Sequence, residues 1–313
     1  MEAVERYNIY DWILVVYIHE IPYYIHQSDA IVRCIVEAVQ VRGRVAVFVI
    51  TEAVRQVMEP LPAGGVAGGG VAADGVGDPG RLAPVNYYRL TVRELQFDEG
   101  GVAGLAEVLG GGDWRDALRA TFPRVRARRR MLVSFSHGAG FGINVDMEGL
   151  ARVQAWVGAE GETRRGGDGR GDLPVLWSDD LAAELGNCLG GQPIDVLLFN
   201  NCYMQCFETG YALRDRVRFI IGAEGALGAI GYDYAGLMRR ILEQPGDDNE
   251  ALVTGIIGDY AAAISRAEQA GQAVFANRAD AYGQAMVLLE RVTAILVDRM
   301  VEVIDVLVDI WEI

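Results

Sequence analysis

A cysteine and a histidine each follow an apolar run of this chain, and the two residue types together could supply a nucleophile and a general acid–base. The stretch Asp195–Glu208 reads DVLLFNNCYMQCFE, in which an apolar run ends and Cys202 follows. Upstream, residues 131–136 (MLVSFS) are interpreted as a second buried strand, which stops at His137, and Gly138 comes next. Catalytic groups collect at the carboxyl ends of buried parallel strands, so we expect Cys202 and His137 to face one crevice.

The chemistry expected of this pair is attack of a thiolate on a carbonyl carbon. A thiol with a pKa of about 8.5 is mostly protonated at neutral pH, so a neighbouring imidazole would favour the thiolate and later protonate the leaving amine. The N–H groups of Gly138 and Cys202 could form an oxyanion hole, because glycine lets a carbonyl approach closely. Each residue alone has a structural alternative: Cys202 as a buried thiol, and His137 as a hydrogen-bonded turn residue. Because both residues follow predicted strands, the catalytic interpretation is favoured over the two structural ones.

The composition describes an acidic protein with a large core. The chain has 313 residues, of which 51% are hydrophobic, and a formal net charge of −15. This length allows two domains or one large α/β domain. The acidity argues against nucleic acid and against anionic membranes as partners. No uncharged apolar run approaches the roughly 20 residues that span a bilayer.

The cysteines and the amino terminus predict a cytoplasmic location. Four cysteines lack the spacing of a disulfide framework, which predicts reduced thiols. The first twelve residues, MEAVERYNIYDW, are acidic and polar, so they do not read as a signal peptide.

Strand-like and helix-like segments alternate along the chain. Strands are predicted at 12–18, 45–50, 86–92, 131–136, 195–199 and 218–222; helices at 28–40, 148–157, 178–189 and 205–214. One or two helices are expected within 102–130, Ser178 is expected to cap its helix, and the chain after Tyr234 should be essentially helical. Glycine-rich loops are expected at 60–84 and 158–172. The alternation predicts an α/β fold, a mostly parallel sheet with helices on both faces.

At the two strand ends, the sequence resembles the clostripain family of cysteine peptidases, part of the caspase-like clan. The resemblance is carried by SFSHGAGFG and by DVLLFNNCYMQCFETGYALRDRVRFIIGAEGALGAIGYDY, and it spans roughly Asp11 to Leu242. Besides His137 before Gly138, the matching positions are Cys202, Met204, Glu208, Tyr211, Glu224, Gly231 and Tyr234. The resemblance implies a caspase-like three-layer αβα sandwich, a Cys–His dyad and hydrolysis of a peptide bond through a thioester. It also implies a peptidase domain over 1–248, with 249–313 as a helical extension packed on it.

The substrate pocket departs from the family pattern at one position. Members of the family usually carry Asp two residues before the cysteine, at the base of a pocket for Arg or Lys, whereas this chain has Asn200. A neutral amide can bind a guanidinium but gives up roughly half of the charge-assisted strength. Glu224 and Asp233 are candidates to supply the missing charge. We therefore predict cleavage after a basic residue, Arg, at the P1 position before the scissile bond.

An arginine-rich loop is a candidate for activation by cleavage. The segment GETRRGGDGRGD offers Arg164, Arg165 and Arg170 on a polar, glycine-rich stretch between the two catalytic strands. Its simpler interpretation is a solvated insertion. As a processing loop, it would be cut by the enzyme itself or by an upstream activating protease, which suits a bacterial signalling or defence cascade.

No cofactor is predicted from the sequence. The glycines at 138–142 lack dinucleotide-binding spacing, and Cys202 with Cys206 lacks the second pair that zinc requires, so we expect Cys206 in the core. Clostripain-type enzymes can respond to calcium, but no calcium loop is readable here. Protein substrates are the expected partners. The alternative function is a catalytically idle caspase-like module, a scaffold that binds proteins through its apolar C-terminal helices.

Overall fold

The elements that position the site belong to one large sheet and the helices that cover it. The structure is a computed structural model that describes residues 9–19, 27–38, 45–60, 82–98, 101–144, 175–225, 227, 232–243, 248–270 and 294–296. Within these residues the strands are β1 (Ile9–His19), β2 (Val45–Pro60), β3 (Leu82–Asp98), β4 (Gly101–Gly110), β5 (Arg126–Phe135), β6 (Gly142–Ile143), β7 (Leu176–Trp177), β8 (Ile194–Asn200), β9 (Val217–Ile221) and β10 (Ala294–Leu296). The α-helices are α1 (Gln27–Ala38), α2 (Trp114–Thr121), α3 (Ser178–Leu189), α4 (Phe207–Leu213), α5 (Tyr234–Glu243) and α6 (Asn249–Ala270).

Eight strands form the main sheet, in the order β10-β9-β8-β5-β1-β2-β3-β4. The central five, from β9 to β2, are parallel. The outer strands β10, β3 and β4 pair antiparallel with their neighbours. Strands β6 and β7 form a separate antiparallel pair close to the His137 turn. The mostly parallel sheet predicted from the sequence is confirmed.

Helices cover both faces of the sheet, so the central strands are buried on both sides. In β1, Leu14 and Val16 pack in the apolar cluster that includes residues of α1, α5 and α6. Their neighbours Ile13 and Val15 pack in the second cluster, with residues of α2, α3 and α4. Burial on both faces explains why these strands read as continuous apolar runs. The predicted three layers, helix–sheet–helix, are confirmed.

The helix expected within 102–130 is present as α2, followed by a short 3₁₀ turn at Phe122–Arg124. The same stretch also begins with a strand that was not expected, because Gly101–Gly110 form the edge strand β4, which pairs with β3 through a register containing irregularities. The edge of the adjacent β3 provides hydrogen-bonding groups that this segment satisfies in an antiparallel hairpin, and pairing through backbone groups leaves little trace in side-chain periodicity. The strand predicted at 131–136 begins earlier, at Arg126, so the arginines before Met131 belong to β5, where Arg128 is exposed and Arg129 is buried. The guanidinium of Arg129 lies 3.9 Å from the centre of the Trp12 ring.

Two further expectations differ in the second half of the chain. Trp177, which makes no side-chain cap hydrogen bond, precedes α3, so Ser178 is its first helical residue and does not cap it. The Ser178 hydroxyl instead donates to Phe141 O at 3.2 Å. Residues 294–296 form a strand that extends the sheet edge, so the chain after Tyr234 is not entirely helical.

The described part of the segment beyond residue 248 packs against one face of the sheet. Leu252, Val253 and Ile256 of α6 lie in the cluster that also contains α1 and α5. The division at residue 248 stays a prediction. The expected helix at 148–157 and the expected loop at 158–172 lie outside the described residues. None of the helices in the described ranges has the length and apolar character needed to cross a membrane.

Candidate active site

The register of two neighbouring strands brings His137 and Cys202 to the same edge of the sheet. Strands β5 and β8 are parallel, and Phe135 pairs with Asn200 at their carboxyl ends. His137 and Cys202 each follow that pair by two residues. Neighbouring strands lie about 4.8 Å apart, so both residues enter the same space. Both are partly exposed, which leaves room for a substrate. Their catalytic roles stay predictions.

The side chain of Asn201 joins the two turns that carry the candidate dyad. Asn201 is buried, and its Nδ2 donates to Ser136 O at 3.0 Å and lies 2.7 Å from Ser136 Oγ. Because Asn201 directly precedes Cys202 and Ser136 directly precedes His137, these contacts hold the two turns against each other. From the sequence, this asparagine was recognised only as the end of a strand. Two polar residues after a buried apolar run were the available signal.

Gly138 lies where the backbone of the cysteine turn leaves no space for a side chain. A Cβ at this position would overlap Cys202 O and would lie 2.9 Å from Met204 Cγ. Gly138 also forms an isolated bridge with Ile143. In that bridge, Asn144 N–H donates to His137 O and Ala139 N–H donates to Gly142 O. The bridge therefore does not use the N–H of Gly138. This arrangement suits the predicted oxyanion donor.

Backbone groups of the loop after β9 contact Cys202 and the turn that follows it. The Leu227 N–H donates to Cys202 Sγ over 3.3 Å, which stabilises negative charge on the sulfur. Tyr203 N–H donates to Gly225 O, at 2.9 Å, and the Gln205 N–H donates to Ala223 O, at 3.0 Å. The loop after the cysteine strand therefore runs alongside the loop after the next strand.

The three predicted pocket residues have different environments. Asn200 is buried, and its Nδ2 donates to Tyr234 Oη at 2.8 Å; burial raises the pKa of Tyr234, so that hydroxyl stays protonated. Glu224 is exposed between Ala223 and Gly225, the two residues that bind the cysteine turn. The backbone at Glu224 therefore lies next to the turn that carries Cys202.

Asp233, the third pocket candidate, takes part in the start of α5. Its Oδ1 accepts a hydrogen bond from Gly236 N–H at 2.9 Å, and its Oδ2 lies 3.4 Å from the Arg239 guanidinium. This carboxylate stabilises the helix N-terminus and is less available to a substrate than that of Glu224.

The remaining candidates lie outside the site or outside the described residues. Cys206 is partly exposed and donates from Sγ to Gly140 O at 2.9 Å, so the expectation of a core position is wrong. None of the four cysteines forms a disulfide. The described residues contain no cluster of metal-ligating side chains. Arg164, Arg165 and Arg170 of the predicted processing loop are not among the described residues.

Comparison with known proteins supports the resemblance seen in the motifs. The model of the clostripain family matches residues 166–303, a segment that contains Cys202. The chain is clostripain-like, as its motifs predicted. No match is found among curated protein sequences.

Solved structures show that this clostripain-like chain has the fold of the C11 cysteine proteases. One is the X-ray structure of a secreted C11 cysteine protease from Bacteroides thetaiotaomicron in complex with an irreversible peptide inhibitor, with a TM-score of 0.51, 16% identity, and coverage of 82% of this chain and 59% of that chain. A second, of a secreted C11 protease of that organism called iotapain, has a TM-score of 0.51, 16% identity, and coverage of 81% and 63%. The chain thus spans about three fifths of the length of these proteins. The caspase-like αβα fold predicted from the resemblance is confirmed.

Proposed function

We propose that this chain is a cysteine endopeptidase in which Cys202 is the nucleophile and His137 is the general acid–base. The observation that carries the proposal is the strand register, which places both residues two positions beyond one paired position. The Cys202 sulfur attacks the peptide carbonyl carbon, and His137 protonates the amine as the C–N bond breaks. Water then hydrolyses the thioester and restores the thiol. The N–H groups of Gly138 and Cys202 stabilise the oxyanion in both steps.

A covalent label tests the proposal directly. Wild-type protein treated with an arginyl chloromethylketone is expected to gain one adduct, located on Cys202 by peptide mass spectrometry, and to hydrolyse an Arg–aminomethylcoumarin peptide. That a peptide inhibitor occupies the related secreted protease supports the choice of a peptide-based label. Absence of an adduct, together with no hydrolysis of basic, acidic or Asn P1 peptides before and after limited proteolysis, would favour the alternative, an idle scaffold for protein interactions.

We propose an Arg preference at P1, and an Asn200→Asp substitution should strengthen it. The Asn200 amide binds a guanidinium without charge assistance, so a carboxylate there adds about 1 kcal/mol, or roughly fivefold in kcat/KM for Arg peptides. The measurement is the ratio of kcat/KM for Arg and Gln peptides. Glu224→Gln should lower this ratio, whereas Asp215→Asn, an exposed change before β9, should leave it unaltered. If the ratio of kcat/KM for Arg and Gln peptides is unaltered in Asn200→Asp, Asn200 is not part of the P1 pocket.

We also propose that the chain is made as a zymogen, activated by cleavage after Arg164, Arg165 or Arg170. Mass spectrometry of purified wild-type protein beside Cys202→Ala should show autocatalytic cleavage in the wild type alone. If an upstream protease makes the cut, both proteins stay intact, and limited trypsin treatment raises wild-type activity. Intact wild-type protein that is already fully active contradicts the zymogen proposal. A bacterial signalling or defence cascade is the proposed setting.

The proposed location is cytoplasmic, and the proposed partners are protein substrates and an activating protease. The four cysteines without disulfides and the net charge of −15 support these choices over a nucleic-acid or anionic-membrane partner. Cell fractionation tests the location, because the related protease structures are described as secreted. No cofactor is proposed, and an activity assay with a calcium chelator tests this point.

A further inference from the structure

A chain of buried and partly buried hydrogen bonds connects the end of β1 and the middle of β2 to the turn that carries His137. The Tyr17 hydroxyl donates to Glu52 Oε2 at 2.6 Å, and the same hydroxyl oxygen accepts from Asn144 Nδ2 at 2.5 Å. Tyr17 is 4% exposed and Asn144 is 9% exposed. His19 Nδ1 lies 3.0 Å from the same Glu52 oxygen. The chain of contacts runs through protein that is closed to solvent at Tyr17 and Asn144.

Asn144 holds the His137 turn through its backbone. Its N–H donates to His137 O at 3.0 Å and approaches Ser136 Oγ at 3.1 Å. The residue has a φ of +65°, a left-handed conformation that is uncommon for a residue other than glycine and is tolerated best by Asn, Asp and His. The hydrogen bond from its side chain to Tyr17 anchors the residue in this conformation. Asn144 therefore connects the position of the His137 carbonyl to the position of Tyr17.

The charges in this cluster determine the direction of each hydrogen bond. Burial raises the pKa of Glu52, but the hydrogen bond and charge of His19 and the Tyr17 hydroxyl outweigh burial and leave this pKa below its ordinary value. Glu52 is therefore an ionised acceptor at neutral pH. Burial and the negative charge of Glu52 raise the pKa of Tyr17, so its hydroxyl stays protonated. Each group then has one role: Asn144 donates to Tyr17, and Tyr17 and His19 donate to Glu52.

We propose that Tyr17 and Asn144 are positioning residues for His137, and that Glu52 orients the Tyr17 hydroxyl. The inference rests on the proposed peptidase function, since it concerns the placement of the proposed general acid–base. Neither Tyr17 nor Asn144 needs to contact a substrate in this role. They act through the backbone of the His137 turn, and a displacement of about 1 Å at a catalytic group costs on the order of 10²-fold in rate.

Tyr17→Phe removes the bridging hydroxyl and keeps the ring. We expect kcat to fall by about 10- to 100-fold with KM little changed, because the substitution moves a reacting group and leaves peptide binding alone. Asn144→Gly permits the left-handed backbone and removes the side chain that donates to Tyr17, so it should cause a similar loss. The double variant should lose no more than the worse single variant, since both remove the same hydrogen bond. Tyr10→Phe is the matched control, about 23 Å away on the same strand, and should retain wild-type kcat.

A second measurement does not depend on activity. The chain has three histidines, His19, His26 and His137, so the imidazole signals in an NMR spectrum can be assigned by substitution. The His137 signal should move in Tyr17→Phe and in Asn144→Gly, and should stay in place in Tyr10→Phe. If the wild type hydrolyses no peptide, a moved His137 signal still supports the positioning role while the proposed function fails.

Two results overturn the inference. If the enzyme is active, an unchanged kcat in Tyr17→Phe contradicts the positioning role. If the enzyme is inactive, an unchanged His137 NMR signal in Tyr17→Phe contradicts it. Thermal melting checks that each variant is folded. If Tyr17→Phe does not fold, kcat and the His137 signal are compared between the wild type and Asn144→Gly instead.

Discussion

Replacement of Cys202 by alanine will abolish peptide hydrolysis and leave the fold intact. The Cys202 side chain is partly exposed after the end of a strand, so its removal creates no cavity in the core. Without the thiolate no thioester forms, and kcat should fall by roughly 10⁶-fold, the loss caused by removing a nucleophile from other hydrolases. The measurement is single-turnover hydrolysis of an Arg–aminomethylcoumarin peptide, with thermal melting to confirm folding.

Substitutions of His137 and of a second cysteine, Cys188, provide the controls for Cys202→Ala. His137→Gln should cause a similar loss, and the double variant should lose no more than either single one, because the two groups act as a unit. Cys188→Ala should leave hydrolysis unchanged. Burial and the Glu184 carboxylate raise the pKa of Cys188 to about 12, so that thiol stays protonated and unreactive. Residual hydrolysis in Cys202→Ala within tenfold of the wild type would exclude Cys202 as the nucleophile.

Gly138→Ala is expected to lower kcat/KM by about 10²-fold without unfolding the protein. The added methyl group overlaps the Cys202 carbonyl oxygen and crowds Met204 Cγ, so the cysteine turn or the histidine turn must shift. That shift separates His137 from Cys202 and moves the proposed oxyanion donor. Steady-state kinetics with the same peptide, beside a thermal melt, measures the effect.

Gly258→Ala is the matched control for Gly138→Ala. Gly258 lies in the exposed middle of α6, and a Cβ there meets no atom within 4 Å. Kinetics should be unchanged, and stability should rise by about 0.5–1 kcal/mol because alanine favours the helix. A Gly138→Ala enzyme with wild-type kcat/KM would show that the close approach of the two turns has no part in catalysis.

The sheet and the candidate dyad were predictable because the relevant signals are local. A strand buried on both faces is a continuous apolar run, so the central strands were readable from short segments. A histidine and a cysteine directly after two such runs then predicted a shared edge, since parallel strands end together. The family motifs add to the same local signals.

Other parts of the fold were not predictable from local signals. The segment GVAGLAEVLG is mostly small and apolar residues without a clear period, and it becomes β4 because the edge of β3 is available for pairing. The Ser178 hydroxyl was expected to cap α3, but Phe141, distant in sequence, accepts its hydrogen bond. The first difference arises from backbone pairing with the adjacent strand, and the second from a partner 37 residues away in sequence.

The sequence by itself determined the order of buried strands and the residue types at their ends, because hydrophobic burial acts on every short segment. Only the tertiary structure decided which polar side chains hold the histidine turn. Tyr17, Glu52 and Asn144 lie far apart in sequence. The parallel register of β1 and β2 places Glu52 near Tyr17, and the Gly138–Ile143 bridge after β5 places Asn144 within hydrogen-bonding distance of Tyr17. A hydrogen bond needs a partner at about 3 Å, and that distance is set by the packed sheet and not by sequence spacing.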